Sequence, residues 1–251
     1  MTTIPTKPTK IIIDTILWTS AKALFDIGKV VLLSMFFTFP TLIWAEQESK
    51  SYEAVDLGLP SGTLWATCNV GATHPEEFGD YFAWGETTPQ PQKDYSWNSY
   101  KWCVADVDKL TKYCNGRDFG NDGFRDMKTE LDFEDDAAYV NWGGDWRTPS
   151  LAQIKELEKK CKWEWAVYKG VKGYIVKGRN GNSIFLPSAS WCLYSLGPRE
   201  GNEGGYWSRS ICKSNPNCAF RMVFFSGGLV EWNGYFRCSG LSVRPVRIKK
   251  D

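Results

Sequence analysis

An α+β fold is what this sequence predicts. Helical periodicity is confined to one or two stretches near the middle, and short β-type runs punctuated by Gly, Pro and Asn fill the rest. The 251 residues include 13 Trp, 23 Gly and 12 Pro, which points to a loop-rich chain carrying many rings with one apolar body and one polar handle. With 43% hydrophobic and 24% charged residues, wholesale disorder is excluded.

The first element is an export segment. Lys29 is followed by an apolar stretch from Val30 to Ala45, then by the polar run Glu46 to Ser51. A cationic start, an apolar core and a small residue at the edge are the order of a secretory signal. The stretch is shorter than the roughly 20 apolar residues of a membrane span. Residues 1–45 therefore read as a signal peptide cleaved after Ala45, or as an uncleaved anchor, in which case alone a membrane partner is expected. Residues 46–51 read as a polar linker, and 52–248 as one domain, exported to the periplasm, the cell surface or the medium.

Within that domain the β-type runs are Thr63–Thr67, Tyr81–Trp84, Tyr174–Lys177, Ser183–Leu186, Ala219–Phe225, Leu229–Trp232 and Ser242–Ile248. One helix is expected after Thr148-Pro149, a capping hydroxyl followed by Pro at the first helical position. Leu151, Ile154, Leu157 and Cys161 recur at helical spacing behind it, with Lys155, Glu156, Glu158 and Lys159 outside. A second, shorter helix is expected after the acidic run Asp132 to Asp136, through Ala137 and Ala138.

Six segments in one order carry a resemblance. They are Val55-Asp-Leu-Gly-Leu-Pro-Ser-Gly-Thr-Leu-Trp-Ala-Thr-Cys-Asn-Val-Gly71, Gly79-Asp-Tyr-Phe-Ala-Trp-Gly-Glu86 and Gly144-Asp-Trp-Arg-Thr-Pro149. The others are Gly181-Asn-Ser-Ile-Phe-Leu-Pro187, Gly205-Tyr-Trp-Ser208 and Gly240-Leu-Ser-Val-Arg-Pro-Val246. Together they resemble the Fibrobacter succinogenes major paralogous domain family of exported bacterial proteins, over nearly all of 52–248. The resemblance implies a C-type-lectin-like fold, related to the sulfatase-modifying-factor superfamily and mostly without established catalysis. In related proteins the C-terminal strands and loops form a solvent-facing binding surface, and some are varied there by diversity-generating retroelements.

The tail from Trp207 to Arg247 has the texture of such a surface. Scaffold words bracket a mixture in which the ligand-binding candidates are Arg209, Ile211, Lys213, Phe220, Arg221, Val223, Glu231, Asn233, Tyr235, Phe236 and Leu241. Aromatic residues and Arg make good anchors because they bury much area with few rotors. Bulky residues alternating along strands also build cores, so about half of these face inward. The expected function is recognition of a protein or glycan. The alternatives are a structural surface-assembly module and, further off, an enzyme related to the sulfatase-modifying factors.

Other chemistry finds little support. The chain carries +1, and the surplus of two cations in the first 45 residues takes the remainder to −1, so no nucleic-acid partner is expected. Eight Cys, at 68, 103, 114, 161, 192, 212, 218 and 238, form no Cys-x-x-Cys pair, and His74 is the single histidine, which excludes the usual zinc sites. Cys212 and Cys218 flank a turn and form a candidate loop clip, whereas buried thiols are the plainer reading. Asn215-Pro216-Asn217 and Trp232-Asn233-Gly234 lack the carboxylate that calcium-dependent sugar binding needs. Asp118–Gly123 misses EF-hand spacing, with Thr129 in the bidentate position. The run Asp132, Glu134, Asp135, Asp136 reads as a solvated helix start, its charge suiting the dipole. No metal, cofactor or catalytic residue is therefore expected. His74 is the one candidate base, and the surroundings of Cys238 do not reproduce a formylglycine-generating site.

Overall fold

A computed structural model describes residues 52–89, 94–104, 106–193, 201–228 and 230–249. These fall within one compact unit, Ser49–Asp251. The expected export segment and the 46–51 linker lie outside the described residues. No helix among the described residues is long and apolar enough to cross a membrane.

The architecture is strand-rich α+β: three small antiparallel sheets and, among the described residues, two helices. The first sheet joins the two ends of the domain, with β2 (Thr63–Ala66) between β1 (Ala54–Asp56) and β9 (Val246–Ile248). The second is the meander β3 (Lys162–Tyr168), β4 (Val171–Lys177) and β5 (Ser183–Pro187). Its first turn, Lys169-Gly170, has φ of +47° and +86°, the left-handed pair that lets a two-residue turn follow the twist of its strands. The third sheet is β6 (Glu203–Ile211), β7 (Cys218–Phe225) and β8 (Val230–Phe236), with β7 central.

In the chain between β2 and β3 come α1 (Ala137–Trp142) and α2 (Leu151–Lys160), the latter packed against β6, β7 and β8. The periodicity that predicted α2 holds, with Ile154 and Leu157 buried. Its start differs from expectation. Ser150, not Thr148, is the N-cap, and Ser150 and Gln153 form a reciprocal capping box. Pro149 precedes the cap, and the Thr148 hydroxyl donates instead to Asp136 Oδ1 at 2.7 Å. Asp136 caps α1, accepting from the backbone of Ala138 and Tyr139. The acidic run is thus a helix start, but Asp135 and Asp136 are buried rather than solvated.

Two expected strands shrink. Tyr81–Trp84 reduces to a single bridge between Phe82 and Leu241, because Gly79 and Gly85, at φ of +69° and +79°, turn the chain on either side. The run Ser242–Ile248 is a strand only over Val246–Ile248, since Pro245 has no N–H to donate. β1, β3 and β6 lay outside the expected runs, and the sixth expected run, Leu229–Trp232, extends further, its strand continuing to Phe236.

The third sheet is covered on both faces. Tyr206, Met222 and Phe224 point into a core with Trp65, Ile154, Leu157, Tyr174 and Val176. Trp207, Ile211 and Ala219 point the other way, against Phe82, Trp84, Tyr113, Leu241 and Val243. Gly204 makes the first packing tight, since a Cβ there would lie 2.2 Å from the Phe224 ring.

Candidate functional site

The 11 candidates separate according to this two-sided burial. Ile211, Val223 and Leu241 are core residues with at most 2% of their surface exposed, so they offer no ligand-facing side chain. Arg209 is held by the protein, with Nε 2.9 Å from Glu130 Oε2 and Nη1 3.1 Å from the Thr148 carbonyl. Lys213 stands exposed on the β6–β7 loop. Phe220 packs edge-on to Trp232 on the α2 side of the sheet, where Lys155 Nζ sits 3.6 Å above the Trp232 ring.

The remaining candidates gather on β7 and β8. Register places Arg221 opposite Asn233 and on the same face as Tyr235 and Glu231. The Arg221 guanidinium lies 3.7 Å from the Tyr235 ring and 4.3 Å from the Trp191 ring, in the corner formed where those two rings meet edge-on at 5.7 Å. Trp191 fits there because Gly205 beneath it has no side chain; a Cβ would stand 3.2 Å from its ring. Asn233 Oδ1 accepts from Arg221 Nε at 3.1 Å. Glu231 and Phe236 flank this cluster on β8, both exposed, with Phe236 edge-on to Trp97. No further strand pairs with β8 among the described residues.

Arg221 differs from the other buried arginines in what it lacks. Arg237 donates to Tyr100 Oη and to the carbonyls of Tyr113, Pro216 and Lys112, tying three loops together. Arg244 donates to Asn69 Oδ1 and the carbonyls of Ala66 and Thr67. Arg221, only 6% exposed, makes one hydrogen bond among the described residues against three or more for each of the others, and its buried Nη1, like Nη2 of Arg244, has no partner. Burial holds its pKa down to about 10, against the pull of Tyr235 and Glu203. Burial in turn raises the Tyr235 hydroxyl, partly offset by Arg221. A guanidinium has five donors in a fixed fork, so this one retains capacity for a planar acceptor such as a carboxylate or an amide. Trp191 and Trp97 were missed in the sequence, where nothing local distinguishes them from scaffold tryptophans.

Elsewhere, the groups that could do other chemistry are engaged. Asp132, Glu134 and Asp135 bring carboxylate oxygens within 4.8 Å of one another, but Lys112 Nζ lies 2.9, 3.5 and 2.5 Å from them. Although burial pulls the Lys112 pKa down, hydrogen bonds and charge from Asp135 and Asp132 raise it, so an ammonium fills the position a metal ion would take. Asn217 Nδ2 faces Asp108, and Asn233 already faces a cation. His74 is exposed on a turn, with Nδ1 3.2 Å from Glu77. Cys212 and Cys218 meet across the end of the β6–β7 ladder, the N–H of Cys212 donating to the Cys218 carbonyl. Their side chains are thiols, not a clip. Burial pushes the Cys212 thiol up to about 12, helped by Cys218.

Fold and site together define a strand-rich α+β domain whose last sheet presents a stacked guanidinium beside an open edge strand. No protein-family model, curated protein or solved structure matches the chain.

Proposed function

We propose that this protein is an exported recognition module that holds a protein or glycan ligand on β7 and β8. Its domain reads as C-type-lectin-like over 52–248 and as a member of the Fibrobacter succinogenes major paralogous domain family, on the six sequence segments that resemble it. Arg221 is the observation that carries the reading. A buried guanidinium packed against the rings of Trp191 and Tyr235, with an unpartnered Nη1, costs the fold free energy that a ligand acceptor reaching it offsets. Glu231, Asn233, Phe236 and Lys213 supply the polar and aromatic surroundings, and the function needs no cofactor, metal or catalytic group.

Glycan and protein arrays probed with the full chain test this directly. A ligand lost on Arg221→Met or Phe236→Ser supports the reading; a ligand indifferent to both removes it. The open edge of β8 favours a second reading, a structural module that joins a surface assembly by strand addition. A proline at Asn233 that abolishes self-association, with no array ligand found, would select that reading.

A further inference from the structure

We infer that a second site, between the C-terminal end of α2 and the β3–β4 strands, binds a short oligosaccharide bearing carboxylates or sulfates. A cleft of about 610 Å³ opens there, lined by Lys159, Lys160, Lys162, Lys177 and Arg179 against the single carboxylate of Glu164. That volume is in the range of small-ligand sites. Among the described residues none of the five cations forms an ion pair or a side-chain hydrogen bond.

Lys159 and Lys160 have a reason within the fold, since they end α2 and complement its dipole. The other three do not. Lys162 and Lys177 are direct partners in the β3–β4 register, and both are exposed. Like charges opposed across a ladder repel, and Glu164, on the same face two residues from Lys162, forms an ion pair with neither. Arg179 adds a third cation from the β4–β5 turn. Low-dielectric walls focus such a field on whatever enters. The occupant is therefore multiply anionic.

The walls also select its class. No aromatic ring lines the cleft, so bases would find no stacking platform. The chain as a whole carries only +1, without the extended basic face that a long polyanion follows. A compact, flexible, charged oligosaccharide matches a concave site of this size. This site shares no residue with the Arg221 cluster, so it stands or falls independently of the recognition role proposed above.

Calorimetric titration of the full chain with a sulfated hexasaccharide at low salt tests the site, with the unsulfated hexasaccharide as control. Binding is expected for the sulfated sugar alone, and it should weaken at least about tenfold on Lys177→Glu and about threefold on Arg179→Gln. Thermal unfolding should stay unchanged or rise on Lys177→Glu, because the reversed charge pairs with Lys162. Failure of the sulfated sugar to bind, equal binding of the neutral one, or undiminished binding by both variants overturns the proposal. Tighter binding of a single-stranded oligonucleotide of matched charge overturns it as well.

Discussion

Replacing Arg221 by Met should leave the domain about as stable as before, or more so, while removing its ligand. Three contributions set the balance. The two ring faces give the guanidinium about 1–2 kcal/mol each in a desolvated site, and the Asn233 hydrogen bond adds roughly 1.5 kcal/mol. Against these, burial lowers the Arg221 pKa to about 10, which corresponds to about 3 kcal/mol disfavouring the charged form. That cost already includes leaving Nη1 buried without a partner. The gains and costs nearly cancel, so the charge does little for folding. Met fills much of the same volume and makes favourable sulfur contacts with Trp191 and Tyr235. Urea unfolding followed by tryptophan fluorescence should give a change within about 1 kcal/mol of zero, or a gain of up to about 2 kcal/mol. A loss of more than about 3 kcal/mol would mean that Arg221 is a structural clamp like Arg237, and the argument for a reserved guanidinium would fail.

Other perturbations should be costly. Asp136→Ala removes the acceptor of Arg147 Nε at 2.7 Å, of Thr148 and of the α1 cap, so urea unfolding should report a loss of about 3–5 kcal/mol. A loss below about 1 kcal/mol would show that the cap is dispensable. Leu157→Ala, at a wholly buried position of α2 in the core cluster fed by all three sheets, should cost about 2–5 kcal/mol in the same assay. Stability should also fall at alkaline pH. Burial pushes Cys161 and Cys192 up to about 11 and Cys212 up to about 12, from an ordinary 9.0. A thiol that keeps its proton longer when folded gives full stability below pH 9.0 and loses it as pH rises toward 12. Arg221 and Arg244, with pKa values lowered by burial, act in the opposite sense at higher pH, against the raised thiols and buried phenols such as Tyr206. Unfolding free energies measured under reducing conditions at pH 7, 9 and 10 should decline from 9 upward; a flat profile would contradict this.

The helix α2 was legible because its apolar positions face one core and its charges face out. β3 was not, since Lys162 and Glu164 alternate with Trp163 and Trp165 directly after the helix and blur its end. The opening of β6 was hidden by Gly204 and Gly205, which read as a turn but serve to admit Phe224 and Trp191. The site was legible in type and not in position. Arg221, Asn233 and Tyr235 have the chemistry of a binding face, and so, by sequence alone, do Ile211, Val223 and Leu241. A sheet covered on both faces lacks the alternation that separates inward from outward residues. The cationic cleft needed the β3–β4 register, which brings Lys177 opposite Lys162 across 14 intervening positions of chain.

The central claim is that the Arg221 cluster and the candidates around it on β7 and β8 choose the ligand. Exchanging the whole stretch 209–241 would also replace Ile211, Val223 and Leu241 and disturb the core. The sharper measurement exchanges only Lys213, Phe220, Arg221, Glu231, Asn233, Tyr235 and Phe236, for those of a member of the resembled family, and repeats the array. A folded chimera that loses the original ligand and gains the donor's is the predicted result. A folded chimera that keeps the original ligand would contradict the account.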